Sequence, residues 1–146
     1  MLLKLKLFLT ATLTMFALAA CAPTATSVSS NVVAASNLNG GLPAKATIFY
    51  LASTSSFNSA TYAALSGDAQ AALGADLLGK QDVLLSPGDT KTVSRSFDGE
   101  GPAAVGVIVG FKALTSSQWR ASTSVSGGKA NALTVSIGSG SVKISK

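Results

Sequence analysis

Ala103-Ala104-Val105-Gly106-Val107-Ile108-Val109-Gly110-Phe111-Lys112-Ala113 decides how this chain folds. Val105, Val107, Val109 and Phe111 fall on one side of a period-two alternation, with Gly106, Ile108 and Gly110 on the other. That period is a strand's, not a helix's. The bulky side must meet a core, and the small side admits a neighbouring element at close range. The Gly106-to-Gly110 spacing also occurs in membrane helix dimers, but such a helix needs a long apolar run that is absent here.

The same period continues toward the C-terminus. Trp119, Ala121, Thr123 and Val125 alternate with Arg120, Ser122 and Ser124; Leu133, Val135 and Ile137 alternate with Thr134, Ser136 and Gly138; Val142 and Ile144 alternate with Lys143 and Ser145. Gly127-Gly128 and Gly138-Ser139-Gly140 supply turns between them. Toward the N-terminus, Gln81–Leu85 and Thr90–Phe97 read as strands around a Pro87-Gly88 turn. Thr90–Phe97 mixes Lys91, Val93, Arg95 and Phe97 on one face and belongs near an edge. Ala44–Ala52, with Ile48-Phe49-Tyr50-Leu51, reads as a strand covered on both faces. A first strand is expected over Asn31–Ser36, with a start as early as Val28.

Between 53 and 79 the period changes. Apolar residues at Phe57, Ala64 and Leu65, then Ala69, Ala72, Leu73 and Leu77, fit helical spacing. Two short helices are expected, over 58–65 and 68–78, with Asp68 at the start of the second and Gly79 just past its end. Seven or eight strands with a two-helix insertion at about 57–78 predict a mainly β domain, a two-sheet antiparallel β-sandwich over residues 31–146.

Composition narrows the chemistry. The 146 residues suit one domain, and 47% hydrophobic against 12% charged residues argues against a disordered chain. There is no histidine, which removes the commonest general base and metal ligand. One cysteine, Cys21, forms no internal disulfide and no cysteine-based zinc site. The six acidic residues lack the spacing of a calcium loop. No G-x-S-x-G elbow and no phosphate-binding loop occurs. Asp98 and Glu100 stand in a glycine-flanked turn, where solvated charge is the ordinary reading. No cofactor, metal, small-molecule substrate or enzymatic activity is expected. The formal charge is +5; without Lys4 and Lys6 it falls to nine basic against six acidic side chains, or +3. The basic residues are dispersed, so nucleic acid is not an expected partner.

Met1 to Ala20 reads as a secretory signal peptide: Lys4 and Lys6 precede a short apolar run, Leu7–Ala17, too short to span a bilayer comfortably. Leu18-Ala19-Ala20-Cys21 resembles the lipobox of bacterial lipoproteins, in which the cysteine thiol takes a diacylglycerol and the new amino group a further acyl chain. Two or more chains anchor stably where one is marginal. Residue 22 is alanine rather than aspartate, which by the same resemblance points to the outer membrane and a domain in the periplasm. Small polar residues from 21 to 30 read as a flexible tether.

Two further features invite a functional reading. Trp119 and Arg120 are residue types favoured at interface anchors, but Trp119 is expected to fill the core, with Arg120 facing solvent or pairing with a local carboxylate. Asn37-Leu38-Asn39-Gly40-Gly41-Leu42-Pro43 is a loop by composition. Loops on rigid sandwiches often carry binding, and from the residues alone a plain connection is an equally good reading.

Leu73-Gly74-Ala75-Asp76-Leu77-Leu78, Val83-Leu84-Leu85-Ser86-Pro87-Gly88, the Val105–Lys112 run and Gln118-Trp119-Arg120, in this order and spacing, resemble the type VI secretion lipoprotein family TssJ (SciN, VasD). Ile48-Phe49-Tyr50-Leu51 followed by Phe57 fits the same pattern, as does the lipobox. The resemblance implies a transthyretin-like sandwich with a small helical insertion, tethered by lipid to the outer membrane. It also implies a docking role toward the periplasmic C-terminal domain of the inner-membrane subunit TssM, with TssL in the same complex. The contact is expected at the loop between the first two strands, here Asn37, Leu38, Asn39, Gly40, Gly41, Leu42 and Pro43. The alternative is a periplasmic lipoprotein module that binds a small ligand or peptide.

Overall fold

A computed structural model of the chain describes residues 24–146. The signal peptide expected over 1–20 and the cysteine at 21 lie outside the described residues. The strands are β1 (Thr26–Ala34), β2 (Ala44–Leu51), β3 (Leu77–Leu85), β4 (Thr90–Phe97), β5 (Ala104–Val109), β6 (Arg120–Ser124), β7 (Ala130–Ile137) and β8 (Val142–Ser145). Three helices of five residues each, α1 (Ser55–Ser59), α2 (Tyr62–Ser66) and α3 (Ala69–Leu73), intervene between β2 and β3.

The strands make two four-stranded sheets, β4-β1-β7-β8 and β3-β2-β5-β6. Every neighbouring pair is antiparallel except β1 and β7, which run parallel. Val28 and Val32 of β1, Ile48 and Tyr50 of β2, the three valines of β5, and Leu133, Val135 and Ile137 of β7 meet between the sheets. Each such side chain contributes roughly 1.5–3 kcal/mol on burial. One open side of the sandwich is closed by a bridge between Gln118 and Ser141. Across the other, Lys91 Nζ donates to the Leu84 carbonyl, and the Arg95 guanidinium lies over the rings of Tyr50 and Phe97, 5.5 and 5.2 Å from their centroids. β4 is an edge strand, as its mixed face required.

The β5 alternation is resolved as its residues dictate. Its valines face the core, while Ala104 and Ile108 face a second apolar cluster with Phe49, Leu51, Phe57, Leu65 and Leu73. The helical insertion thus covers the outer face of the second sheet, and β2 is buried on both faces. A Cβ on Gly106 would stand 2.6 Å from Phe57 Cζ, and one on Gly110 2.6 Å from the Tyr62 hydroxyl. The small side of the strand is where the helices press closest.

Several boundaries differ from those expected. β1 begins at Thr26 rather than in the region of Val28 to Asn31, so the tether expected over 21–30 gives way to strand after Ala25. Thr26 to Ser30 are small and mostly polar, but β1 is paired on both sides, by β4 and β7, and its position buries it. The insertion holds three helices, not two. The chain is extended at Ala60 and Thr61, where the Thr61 hydroxyl accepts from Ala64 N–H to start α2. Asp68 does cap α3, accepting from Ala71 N–H at 3.1 Å. That helix ends at Gly74, whose φ of 55° and ψ of −127° suit glycine alone, not at Gly79. Leu77–Lys80 belong to β3, where Gly79 leaves room for the Arg95 guanidinium. The long strand expected over 103–113 ends at Val109, and the chain then turns so that Phe111 tucks into the core.

Candidate docking surface

β1 points its two ends at opposite poles of the sandwich. Its first residue lies beside the β4–β5 loop and the β6–β7 turn; its last lies beside the β3–β4 and β7–β8 turns. The loop from Ala35 to Pro43 belongs to the second pole and connects the two sheets. At about 3.3 Å per residue, the nine residues of β1 place it roughly 30 Å from the first pole.

The structure divides the seven loop residues into two groups. Leu38 is fully buried in the core, and Asn39 is buried beside it. Gly41 and Leu42 both donate their N–H groups to the Leu38 carbonyl, at 2.8 and 3.1 Å, so the backbone wraps around this plug. Asn39 has φ of +49°, a left-handed conformation that asparagine tolerates better than most residues. Its side-chain oxygen accepts from Lys112 N–H at 2.8 Å, its amide donates to the Pro43 carbonyl at 3.1 Å, and its backbone N–H donates to the Gly138 carbonyl at 3.3 Å. One buried side chain therefore ties the loop to the β5–β6 connection, and its backbone ties it to the β7–β8 turn.

The other group faces outward: Asn37, Gly40, Gly41, Leu42 and Pro43 are exposed. Leu42 is 48% accessible, one of three large apolar side chains left open among the described residues, with Leu78 and Leu84 on β3. Lys112 Nζ sits close beside Gly40, where a Cβ would be 2.7 Å away. A shallow cavity of about 280 Å³ adjoins the loop, lined by Gly40, Phe111, Lys112, Ser117 and Gly140 among others. The pole presents an apolar side chain, a cation and glycine-rich backbone on a base fixed by hydrogen bonds. It has the form of a recognition surface and brings together no acid–base pair.

The remaining residues nominated from sequence are placed elsewhere. Asp98 and Glu100 are exposed at the first pole. Trp119 is half-buried against both apolar clusters, edge-on to Tyr62 at 5.4 Å. Arg120 corrects the expectation that it faces solvent or a carboxylate. Its guanidinium covers the Trp119 ring at 4.6 Å, and Nη1 donates to the carbonyls of Phe57 and Ala60 at 2.9 and 2.8 Å. It satisfies the C-terminal end of α1 and staples the insertion to β6. Nothing in the sequence places Lys112 at this pole; its meeting with Asn39, 73 residues earlier, does.

Residues 26–140 match the family model described as type VI secretion lipoprotein, VasD, EvfM, TssJ. The fold is similar to that of the type VI lipoprotein TssJ1 from Pseudomonas aeruginosa, with a TM-score of 0.74 and 27% identity, covering 84% of this chain and 95% of that one. It is similar to Serratia marcescens Lip, a membrane-bound component of the type VI secretion system, with a TM-score of 0.71 and 23% identity over 82% and 97% of the two chains. A chain of a structure described as the TssM C-terminal domain (869–1107) from EAEC also shares the fold, with a TM-score of 0.67 and 22% identity over 81% and 99%. No curated protein sequence matches the chain.

Proposed function

We infer the function of this chain from its family: it belongs to the type VI secretion lipoproteins, and we propose that it is the outer-membrane docking post of the secretion membrane complex. In this reading Cys21 carries a diacylglycerol and an N-acyl chain, and Ala22 directs the protein to the outer membrane. The sandwich stands in the periplasm and holds the C-terminal periplasmic domain of TssM, with TssL in the same complex. The role is non-enzymatic. A chain without histidine, in which Asp98 and Glu100, two apart in sequence, are both exposed, lacks the usual means of proton transfer.

The observation that carries the docking assignment is the divided loop at the second pole. Leu38 and Asn39 fix its backbone, so presenting Leu42 to a partner costs little ordering entropy. Deleting the loop would remove the buried plug and test folding instead, so the test is Leu42→Asp. Titration of the TssM periplasmic domain against the wild-type chain, Leu42→Asp and Ser145→Asp, an exposed control on β8, measures the contact. Leu42→Asp is expected to weaken binding at least about tenfold, as placing a charge in an apolar contact does, with the control unchanged. Equal binding by all three would move the contact elsewhere.

A further inference from the structure

The first pole of the sandwich has a construction of its own. The buried Thr26 hydroxyl shares its one proton between the carbonyls of Gly99 and Glu100, at 2.8 and 2.7 Å, and accepts from Gly128 N–H at 2.7 Å. Three segments of the pole are thereby tied at the first residue of β1. Asn131 braces the β6–β7 turn, accepting from Ser126 N–H at 2.8 Å and donating to the Ser126 carbonyl at 2.9 Å. Thr24 already lies against Gly128, and with Glu100, Gly101, Val125 and Gly127 it lines an open cavity of about 540 Å³. Thr24 is itself exposed, and the chain is hydrogen-bonded into the body from Thr26 onward.

Resting on the lipid-anchor reading above, we infer that this pole is a membrane-contact face, held against phospholipid headgroups by a five-residue leash from Cys21 to Thr26. From Cys21 to Thr26 a fully extended chain reaches about 18 Å. A headgroup layer takes up about 5–8 Å of that, taking half the difference between a bilayer's total and hydrocarbon thickness. The remainder, about 10–13 Å, is less than the ~14 Å radius of gyration of a domain this size, so the body cannot turn freely beneath the membrane. The surface brought to the bilayer is the pole that Thr26 joins: the loops 98–103 and 125–129, with Gly99, Gly101, Gly127 and Gly128 offering little side chain to hold the two surfaces apart. The charges among the described residues of these loops, Asp98, Glu100 and Lys129, make no basic patch, so contact is set by tether length and not by attraction to anionic lipid. The β1–β2 loop is correspondingly held about 30 Å further from the bilayer, aimed away from it.

The test uses full-length protein produced and acylated in cells, with Ser126→Cys at the first pole or Ser139→Cys at the second, each labelled with a fluorophore. The proteins are reconstituted into phosphatidylethanolamine–phosphatidylglycerol vesicles containing headgroup-quencher lipid, after the mass of the N-terminal fragment has been read. Quenching at 126 is expected to exceed that at 139 several-fold, to persist in high salt, and to be lost when ten Gly/Ser residues are inserted after Pro23. An acylated Cys21 with equal quenching at both positions, or quenching unchanged by the insertion, would overturn this inference alone. An unmodified Cys21 would overturn the anchoring reading and this inference with it.

Discussion

Asn39 accepts the backbone N–H of Lys112 through its side-chain oxygen at 2.8 Å, joining the β1–β2 loop to the β5–β6 connection across 73 residues of sequence. The same side chain reaches the Pro43 carbonyl, and its own backbone is left-handed. Asn39→Ala loses both bonds and strains the backbone, whereas Asn39→Gly loses the bonds but keeps the conformation. Each unpaired buried group costs about 1–3 kcal/mol, and left-handed strain about 1–2 kcal/mol more. Denaturant midpoints should rank wild type above Asn39→Gly above Asn39→Ala. Alanine at or above glycine would show that the loop conformation is not what asparagine supplies.

Gly106 of the second sheet lies directly under the Phe57 ring of its helical cover, where a Cβ would stand 2.6 Å from Phe57 Cζ. Gly106→Ala drives a methyl group into the Phe57 ring and should cost about 1–3 kcal/mol, as overpacking does. Adding Phe57→Leu should recover part of that loss, because the smaller side chain can yield. A purely additive double mutant would mean that the two residues do not share a packing constraint.

What could be read from sequence was whatever local chemistry decides. The alternation of valine with glycine in β5 announced both a core face and a close-approach face, and Asp68 announced a helix start. Position in the fold decides the rest. Thr26–Ser30 look like linker and become a central strand because β4 and β7 flank them. Leu38 and Asn39 look like loop residues and are buried because Lys112 and Gly138 close over them. Arg120 looks solvent-bound until α1 brings its free carbonyls within reach. In each case the deciding partner lies far along the chain, where no periodicity points.

Ser30 faces the core from β1, with a hydroxyl that finds no hydrogen-bond partner among the described residues. Burying an unsatisfied hydroxyl costs about 1–3 kcal/mol. Ser30→Ala is therefore expected to leave stability unchanged or raise it by up to about 1 kcal/mol, read from the urea midpoint. A clear loss of stability would reveal a bond to the hydroxyl that the folded chain does make.

Tyr50 is buried on the inner face of β2, its hydroxyl donating to Gln81 Oε1 at 2.7 Å. Burial pushes its phenol above the ordinary value of 10.0, and the nearby Arg95 cation pulls it partly back. The folded state therefore holds this proton more tightly than the unfolded chain does. The stability it contributes is fully present below about pH 10, the unfolded phenol's range, and is lost as pH rises through the folded value. Urea midpoints between about pH 8 and pH 11 should fall more steeply for the wild type than for Tyr50→Phe. Parallel curves would mean that Tyr50 titrates alike in both states.

In the function proposed above, one molecule is both fixed to a membrane by Cys21 and bound to TssM by its opposite pole. Sedimentation of outer-membrane vesicles carrying the full-length chain, mixed with the soluble TssM periplasmic domain, reads both properties at once. The TssM domain should pellet with vesicles from cells making the wild-type chain, and both proteins should stay in the supernatant when the chain is Cys21→Ser. Equal pelleting of the TssM domain in the two cases would contradict the lipid-anchored docking post.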